Sequence, residues 1–218
     1  MATSQANRTR LGALATLALA ALLAGCAQTA TYNAAYVSKP SYAEADRLAG
    51  RVLVYTEKAD DETPYVGAPT SFTGGGTKLT IPLGLIAREI AATVFGELFR
   101  DGAVKSGSLD GAAQYRVVVQ PKVRQFSYEY NQAKNLGFAI TPTVILTLDV
   151  SVLDGAGQQV RRRSYESGTV EMPAYVISGS PGEEIGKAAH KALSDLMARA
   201  AQDLRAELSQ PGAPGLAL

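Results

Sequence analysis

From Thr143 to Leu153 the chain alternates strictly. Val144, Leu146, Leu148, Val150 and Val152 share one parity, and Thr143, Thr147, Asp149 and Ser151 share the other. Side chains of a strand point to opposite faces in turn, so this run predicts a strand with one apolar face that another layer must cover. Two segments have the right pattern to cover it. In Leu83 to Arg100, Leu83, Ile86, Ile90, Val94 and Leu98 fall at helical spacing, with Phe95 and Phe99 beside them. Pro82 stands at the start, and Asp101-Gly102 supplies a stop. The second helix is predicted to open at Ser180 as a capping box, with Pro181 in the first turn and Glu183 three residues on. Its apolar stripe is Ile185, Ala189, Leu193, Leu196, Met197, Ala200 and Leu204.

The remaining strands follow from composition and turn chemistry. Arg51 to Tyr55 is a short β-branched run. Tyr115 to Tyr130 reads as a long strand in which Val117, Val119 and Val123 have one parity and Phe126, Tyr128 and Tyr130 the other. The switch near Arg124 implies a bulge, or a second half covered on the opposite face. Asp154 to Gly157 is a hairpin turn leading into a polar strand from Gln159 to Val170. Ala59 to Thr77 is a long loop with a short strand near Tyr65. The order strand, helix, three strands, helix predicts an α+β two-layer sandwich: a mainly antiparallel sheet with two amphipathic helices on one face. It forms one domain over residues 50–208, followed by a flexible tail at 209–218. Residues 26–49 read as a tether whose Tyr32, Tyr36 and Tyr42 either pack on the domain or move freely.

Few residues can carry chemistry. The 218 residues include one Cys, one His and no Trp, so internal disulfides and Cys-based zinc clusters are excluded. Lys plus Arg number 21 and Asp plus Glu 20, a balance that gives no pull toward nucleic acid. His190 has Lys187 and Lys191 near it rather than acids, and is expected on the surface of the last helix. Ser180 is accounted for as a helix cap. Gly155-Ala-Gly157 lacks the third glycine and the following helix of a dinucleotide site. Gly74-Gly75-Gly76-Thr77-Lys78 departs from the phosphate-loop order, and Asp60-Asp61-Glu62 from the spacing of a calcium loop. No catalytic set, metal site or cofactor is therefore predicted. Two groups remain as candidate partner contacts. Arg161 and Arg163 project together from one strand face. They serve either to block edge-to-edge pairing or to meet anionic lipid, lipopolysaccharide or an acidic partner. Phe126, Tyr128 and Tyr130, with Phe138 and Tyr175 nearby, cover the sheet or, if the bulge turns them outward, form a recognition strip.

The beginning of the chain is more specific. Residues 1–10 carry Arg8 and Arg10 and no acid, and the 14 residues Leu11–Ala24 that follow contain only Leu, Ala, Gly and Thr. As a helix this run reaches about 21 Å, short of the roughly 30 Å hydrocarbon core, so it describes an export signal over residues 1–25 rather than a span. Leu23-Ala24-Gly25-Cys26 resembles the lipobox of bacterial lipoproteins, and Cys26 is the sole cysteine. The resemblance implies a diacylglyceryl group on the Cys26 thiol, cleavage before Cys26 and N-acylation, palmitate included. Ala27 at the next position resembles the pattern of the outer membrane. Two or more acyl chains anchor a protein stably. Losing Arg8 and Arg10 would leave the body one acid in excess, so the lipid would supply the hold on the membrane.

With that box, Leu79-Thr-Ile-Pro-Leu-Gly84, Phe126-Ser-Tyr-Glu-Tyr-Asn131, the Asp154–Gly157 hairpin and His190-Lys-Ala-Leu193 make the chain resemble the YajG-type lipoproteins of Gram-negative bacteria. The resemblance implies a small α+β envelope lipoprotein with no catalytic residues. The expected role is a non-enzymatic, lipid-anchored protein on the periplasmic face of the outer membrane, binding an envelope partner in assembly, maintenance or transport. The alternatives are a carrier of lipid or small ligands, a transport accessory subunit, or a cell-wall hydrolase.

Overall fold

A computed structural model describes residues 27–133, 137, 139–176 and 180–209. The expected signal peptide, Cys26, Phe138 and nearly all of the tail lie outside the described residues. The strands are β1 (Ala27–Thr29), β2 (Val52–Tyr55), β3 (Tyr65–Gly67), β4 (Lys78–Ile81), β5 (Ala103–Ser106), β6 (Val117–Asn131), β7 (Thr141–Leu153), β8 (Gln159–Glu166) and β9 (Val170–Glu171). The helices are α1 (Lys58–Glu62), α2 (Leu83–Leu98) and α3 (Pro181–Leu208).

The main sheet runs β5-β2-β6-β7-β8, with β9 beside β8 on the outer edge of β7. β6, β7 and β8 form the expected antiparallel meander. The hairpin turn is held by Asp154, whose Oδ1 accepts from the backbone of Ala156 and Gln158 at 2.9 and 2.8 Å. The register of β6 on β7 shifts between Val123 and Gln125, at the parity switch, so the two halves of β6 both turn their apolar residues inward. β2 joins differently. Helix α2 intervenes between β2 and β5, and the two strands pair parallel, as do β2 and β6.

Both long helices lie on the inner face. Ile86, Ile90, Val94, Phe95 and Leu98 of α2 and Ile185, Leu193, Leu196 and Met197 of α3 meet Val52, Val54, Val117, Val119, Val144, Leu146 and Leu148 in one core. Each such side chain, fully buried, contributes about 1.5–3 kcal/mol. The sheet and its helices are thus the two-layer α+β sandwich. A smaller apolar group on the other face, with Leu53, Val118, Leu153 and Ala112, lies beneath Leu109 and Tyr115.

Three readings of the sequence change here. First, the stretch read as a tether is laid on the domain from Ala27 onward. β1 pairs parallel with β4, and β3 pairs antiparallel with β4, making a second, three-stranded sheet. Downstream, Leu48 exchanges hydrogen bonds with the end of α2 and its successor Arg100. Arg47 donates to the backbone oxygens of Glu97 and Phe99 at 3.0 and 2.8 Å, where the dipole of α2 is negative. Second, the long 59–77 loop keeps the expected short strand, as β3, but also holds a hydrogen-bonded turn and α1, whose Asp61 pairs with Arg88 of α2 at 2.5 Å. Third, Ser180 makes no side-chain cap to α3; Glu183 instead accepts from Tyr36 at 2.8 Å.

Gly84 shows why α1 and α2 approach so closely: a Cβ there would lie 1.9 Å from the backbone oxygen of Asp60. Gly84→Ala should therefore destabilise the fold by about 1–3 kcal/mol through overpacking, although Ala is the better helix former. Gly96→Ala, whose Cβ meets Ala103 at an ordinary 3.5 Å, should be neutral or stabilising. Urea denaturation midpoints of the two variants check the contrast.

Candidate functional site

Of the two arrangements open to the aromatic strip, the structure takes the covering one. Past the bulge, Phe126, Tyr128 and Tyr130 align with Leu146, Val144 and Pro142 of β7 on the inner face. Tyr128 and Tyr130 are buried, and Phe126 is half-buried. They form a ladder with Tyr65: ring centroids are 4.9 Å apart for Tyr65–Phe126, 6.1 Å for Phe126–Tyr128 and 5.7 Å for Tyr128–Tyr130. The Tyr128 hydroxyl donates to Gly67 O at 2.9 Å, and that of Tyr130 to Gln28 Oε1 at 2.8 Å. Burial pushes the Tyr128 phenol up to about 12 and Tyr130 higher still. The strip is the floor on which the β1-β4-β3 sheet rests. It is not an open recognition surface. Phe126 reaches a groove of about 360 Å³ shared with Tyr65, Pro64, Leu83, Lys122 and Arg124.

Arg161 and Arg163 project together, but toward α3. Arg161 pairs with Glu207, and Arg163 with Asp203. Tyr165, next on the same face, donates to Asp203 at 3.0 Å. Asp203 and Glu207 stand one helical turn apart, matching the two-residue step of the strand. These guanidinium groups fasten the edge strand to the helix instead of facing an outside anion. Arg162, on the opposite face, belongs to a cluster that the sequence reading missed. Asp149 is buried, yet it receives Arg162, Arg124 at 2.5 Å and the Ser164 hydroxyl at 2.5 Å. Burial raises its carboxyl pKa, but the hydrogen bonds from Ser164, Arg124 and Arg162 outweigh that and hold it below the usual range. A lone acid within an otherwise apolar and hydroxyl-bearing strand was the available signal.

His190 is also corrected. It is fully buried, because residues 30–38 cover it. Nδ1–H donates to Gly186 O at 2.7 Å, and Nε2 accepts from the backbone N–H of Asn33 at 3.0 Å. A carbonyl accepts and an amide donates, so this pair of partners requires the neutral ring. Tyr32 stacks on the imidazole, and Tyr36 meets it edge-on, both at 5.7 Å. Gly182 and Gly186 precede His190 at four-residue intervals. A Cβ at Gly186 would come within 3.1 Å of Ala30 Cβ, and one at Gly182 within 3.2 Å of Gln28 Cβ and Thr29 O. The Gly-x-x-x-Gly-x-x-x-His face is therefore the bed of the chain that leads in from Cys26. That spacing was visible in the sequence.

The candidate nucleotide and cation motifs are spent on structure. Thr77 closes the glycine turn by donating to Gly74 O. Asp60 pairs with Lys122 at 2.9 Å, and Asp61 with Arg88 and Thr56. Among the described residues no group of three or more His, Cys, Asp or Glu is placed to hold a metal ion.

No protein-family model matches the chain, and no curated protein does. Among solved structures, a PelC dodecamer from Paraburkholderia phytofirmans overlaps 75% of this chain and 91% of its own at 15% identity and a TM-score of 0.35. The minor lipoprotein of Acinetobacter baumannii overlaps 72% and 92% at 12% identity and a TM-score of 0.34. Uncharacterized lipoprotein B from Nitrosomonas europaea overlaps 75% and 85% at 14% identity and a TM-score of 0.29. Identities and TM-scores this low carry no argument about function.

Burial lowers the His190 pKa below its ordinary 6.5, with the Gly186 hydrogen bond opposing weakly. The unfolded chain then takes up the proton first. Stability is complete above about pH 6.5 and is lost as pH falls from there toward the folded pKa. Glu183, Lys187, Tyr32 and Tyr36 face the same packing. The expected result is a lower urea midpoint at about pH 5 than at about pH 7.5, a difference that shrinks in His190→Gln. Separately, Asp149→Ala should cost about 1.5–3 kcal/mol in urea unfolding, the range for hydrogen bonds to a charged group.

Proposed function

We propose that this chain is a lipoprotein of the bacterial outer membrane, held by acyl groups on Cys26, with its body in the periplasm. The body binds an envelope protein partner and does no catalysis. The YajG-type affinity belongs to this same reading. The observation that carries it is how the chain enters the fold. Leu11–Ala24 and the lone Cys26 are followed, at the next residue, by a strand paired to Lys78–Thr80 and bedded on α3. An anchor at Cys26 would pass its position straight to the folded body. No described helix is long and apolar enough to cross a membrane. The groups best suited to acid–base work are committed elsewhere: His190 by both ring nitrogens and Asp149 by three donors.

In intact Gram-negative cells, Cys26→Ser should abolish incorporation of labelled palmitate and move the protein from the membrane to the soluble fraction. Label persisting on the variant would overturn the proposal. Crosslinking in the same cells, followed by identification of the joined protein, reads out the partner.

A further inference from the structure

Phe72 stands fully in solvent, at 102% relative exposure, while the next most exposed large apolar side chain among the described residues, Val176, reaches 63%. The loop holds it there. Thr70 N–H donates to Tyr128 O at 2.8 Å, Tyr130 N–H to Ser71 Oγ at 2.9 Å, and Thr73 Oγ1 to Gln132 Oε1 at 3.2 Å. Gly75 N–H donates back to Phe72 O at 3.1 Å. The residues on both sides of Phe72 are thus fixed to the far end of β6, and the ring is left without cover among the described residues. Single exposed apolar side chains are ordinary on a protein surface; this one is set apart because its own loop holds it out, available to a contact outside the fold.

The position says with what. Gly74, two residues on, has φ 76°, and a Cβ there would lie 2.8 Å from the Tyr130 ring. The hydroxyl of that same ring bonds Gln28 in β1. Ala27 is in register with Lys78, whose side chain is exposed, one residue past the end of the glycine turn. Cys26 is joined directly to Ala27. The Phe72 turn, the exposed Lys78 and Ala27, the first described residue, therefore share one end of the molecule.

We propose that Phe72 enters the acyl region of the same leaflet that holds the Cys26 lipid, with Lys78 at the headgroup level. This rests on the anchor reading above. An aromatic ring beside a cation on a projecting turn suits the membrane interface, where an apolar body is buried and a charge stays wet. The acyl chains give one point of attachment, and Phe72 adds a second that fixes the tilt of the body. The end of β7 that carries the neighbours of Val160 then points away from the bilayer, since its 13 residues span about 40 Å.

The chain has no Trp, so a single introduced indole reports alone. Phe72→Trp and Val160→Trp would be purified as full acylated proteins and placed in vesicles of phosphatidylethanolamine and phosphatidylglycerol, with and without brominated acyl chains. The expected result is blue-shifted emission, quenched by bromine, for Trp at 72, and red, unquenched emission at 160. Solvent-like emission at 72 overturns the proposal, as does equal quenching at both positions, which means a body lying flat. A blue shift at 72 without bromine quenching also overturns it, and assigns the ring to a second copy of the chain. The mass of the purified protein separates the two readings. Acyl groups on Cys26 with an unquenched Trp at 72 remove only the second contact, whereas an unmodified Cys26 removes the anchor and this inference together.

Discussion

The inner face of the β6–β7 pair must be kept from water along its whole length, and most of the molecule follows from that. Helices α2 and α3 cover the half that carries Val117, Val119, Leu148 and Val150. The other half carries Tyr128 and Tyr130. That half is roofed by the β1-β4-β3 sheet, whose Leu79 and Ile81 are buried in the same core. Two of these aromatic residues have hydroxyls, and a roof made of backbone supplies acceptors for them at Gly67 and, through a side chain, at Gln28. A helix would present few free backbone groups there.

The roof needs β1, and β1 needs a bed. Gly182 and Gly186 supply it by leaving room on α3, and His190 closes it by accepting from Asn33. The residues next to Cys26 are consequently part of the fold's interior bonding rather than a leash outside it. This has a mechanical consequence for an anchored protein. A long flexible tether lets a body explore many orientations, while a chain bonded from Ala27 onward would transmit the orientation of an anchor at Cys26.

Several charged side chains tie elements of the fold to one another. Arg161 and Arg163 hold β8 to Asp203 and Glu207, and Arg124 and Arg162 share Asp149 across three strands. Such pairs, partly exposed, contribute modestly one at a time. They do fix which face of the edge strand meets the helix, because a shift by one residue would swap Arg162 for its neighbours.

The strand of Thr143–Leu153, both long helices, the bulge at Arg124 and the hairpin at Asp154 were all readable from local pattern, because periodicity and turn chemistry act over a few residues. The class of fold follows from their order. Which residues bury their polar groups did not follow, since burial depends on what arrives from elsewhere in the chain. His190 looks like a surface residue until residues 30–38 cover it, and Tyr128 and Tyr130 look amphipathic until a second sheet settles on them. Sequence alone determined the layers and singled out Cys26. Tertiary structure decided that the chain beside it is bonded in place, and that Phe72 is left outside at the same end, because both depend on contacts between distant segments, 59 residues apart for Tyr130 with Ser71 and 157 for Asn33 with His190.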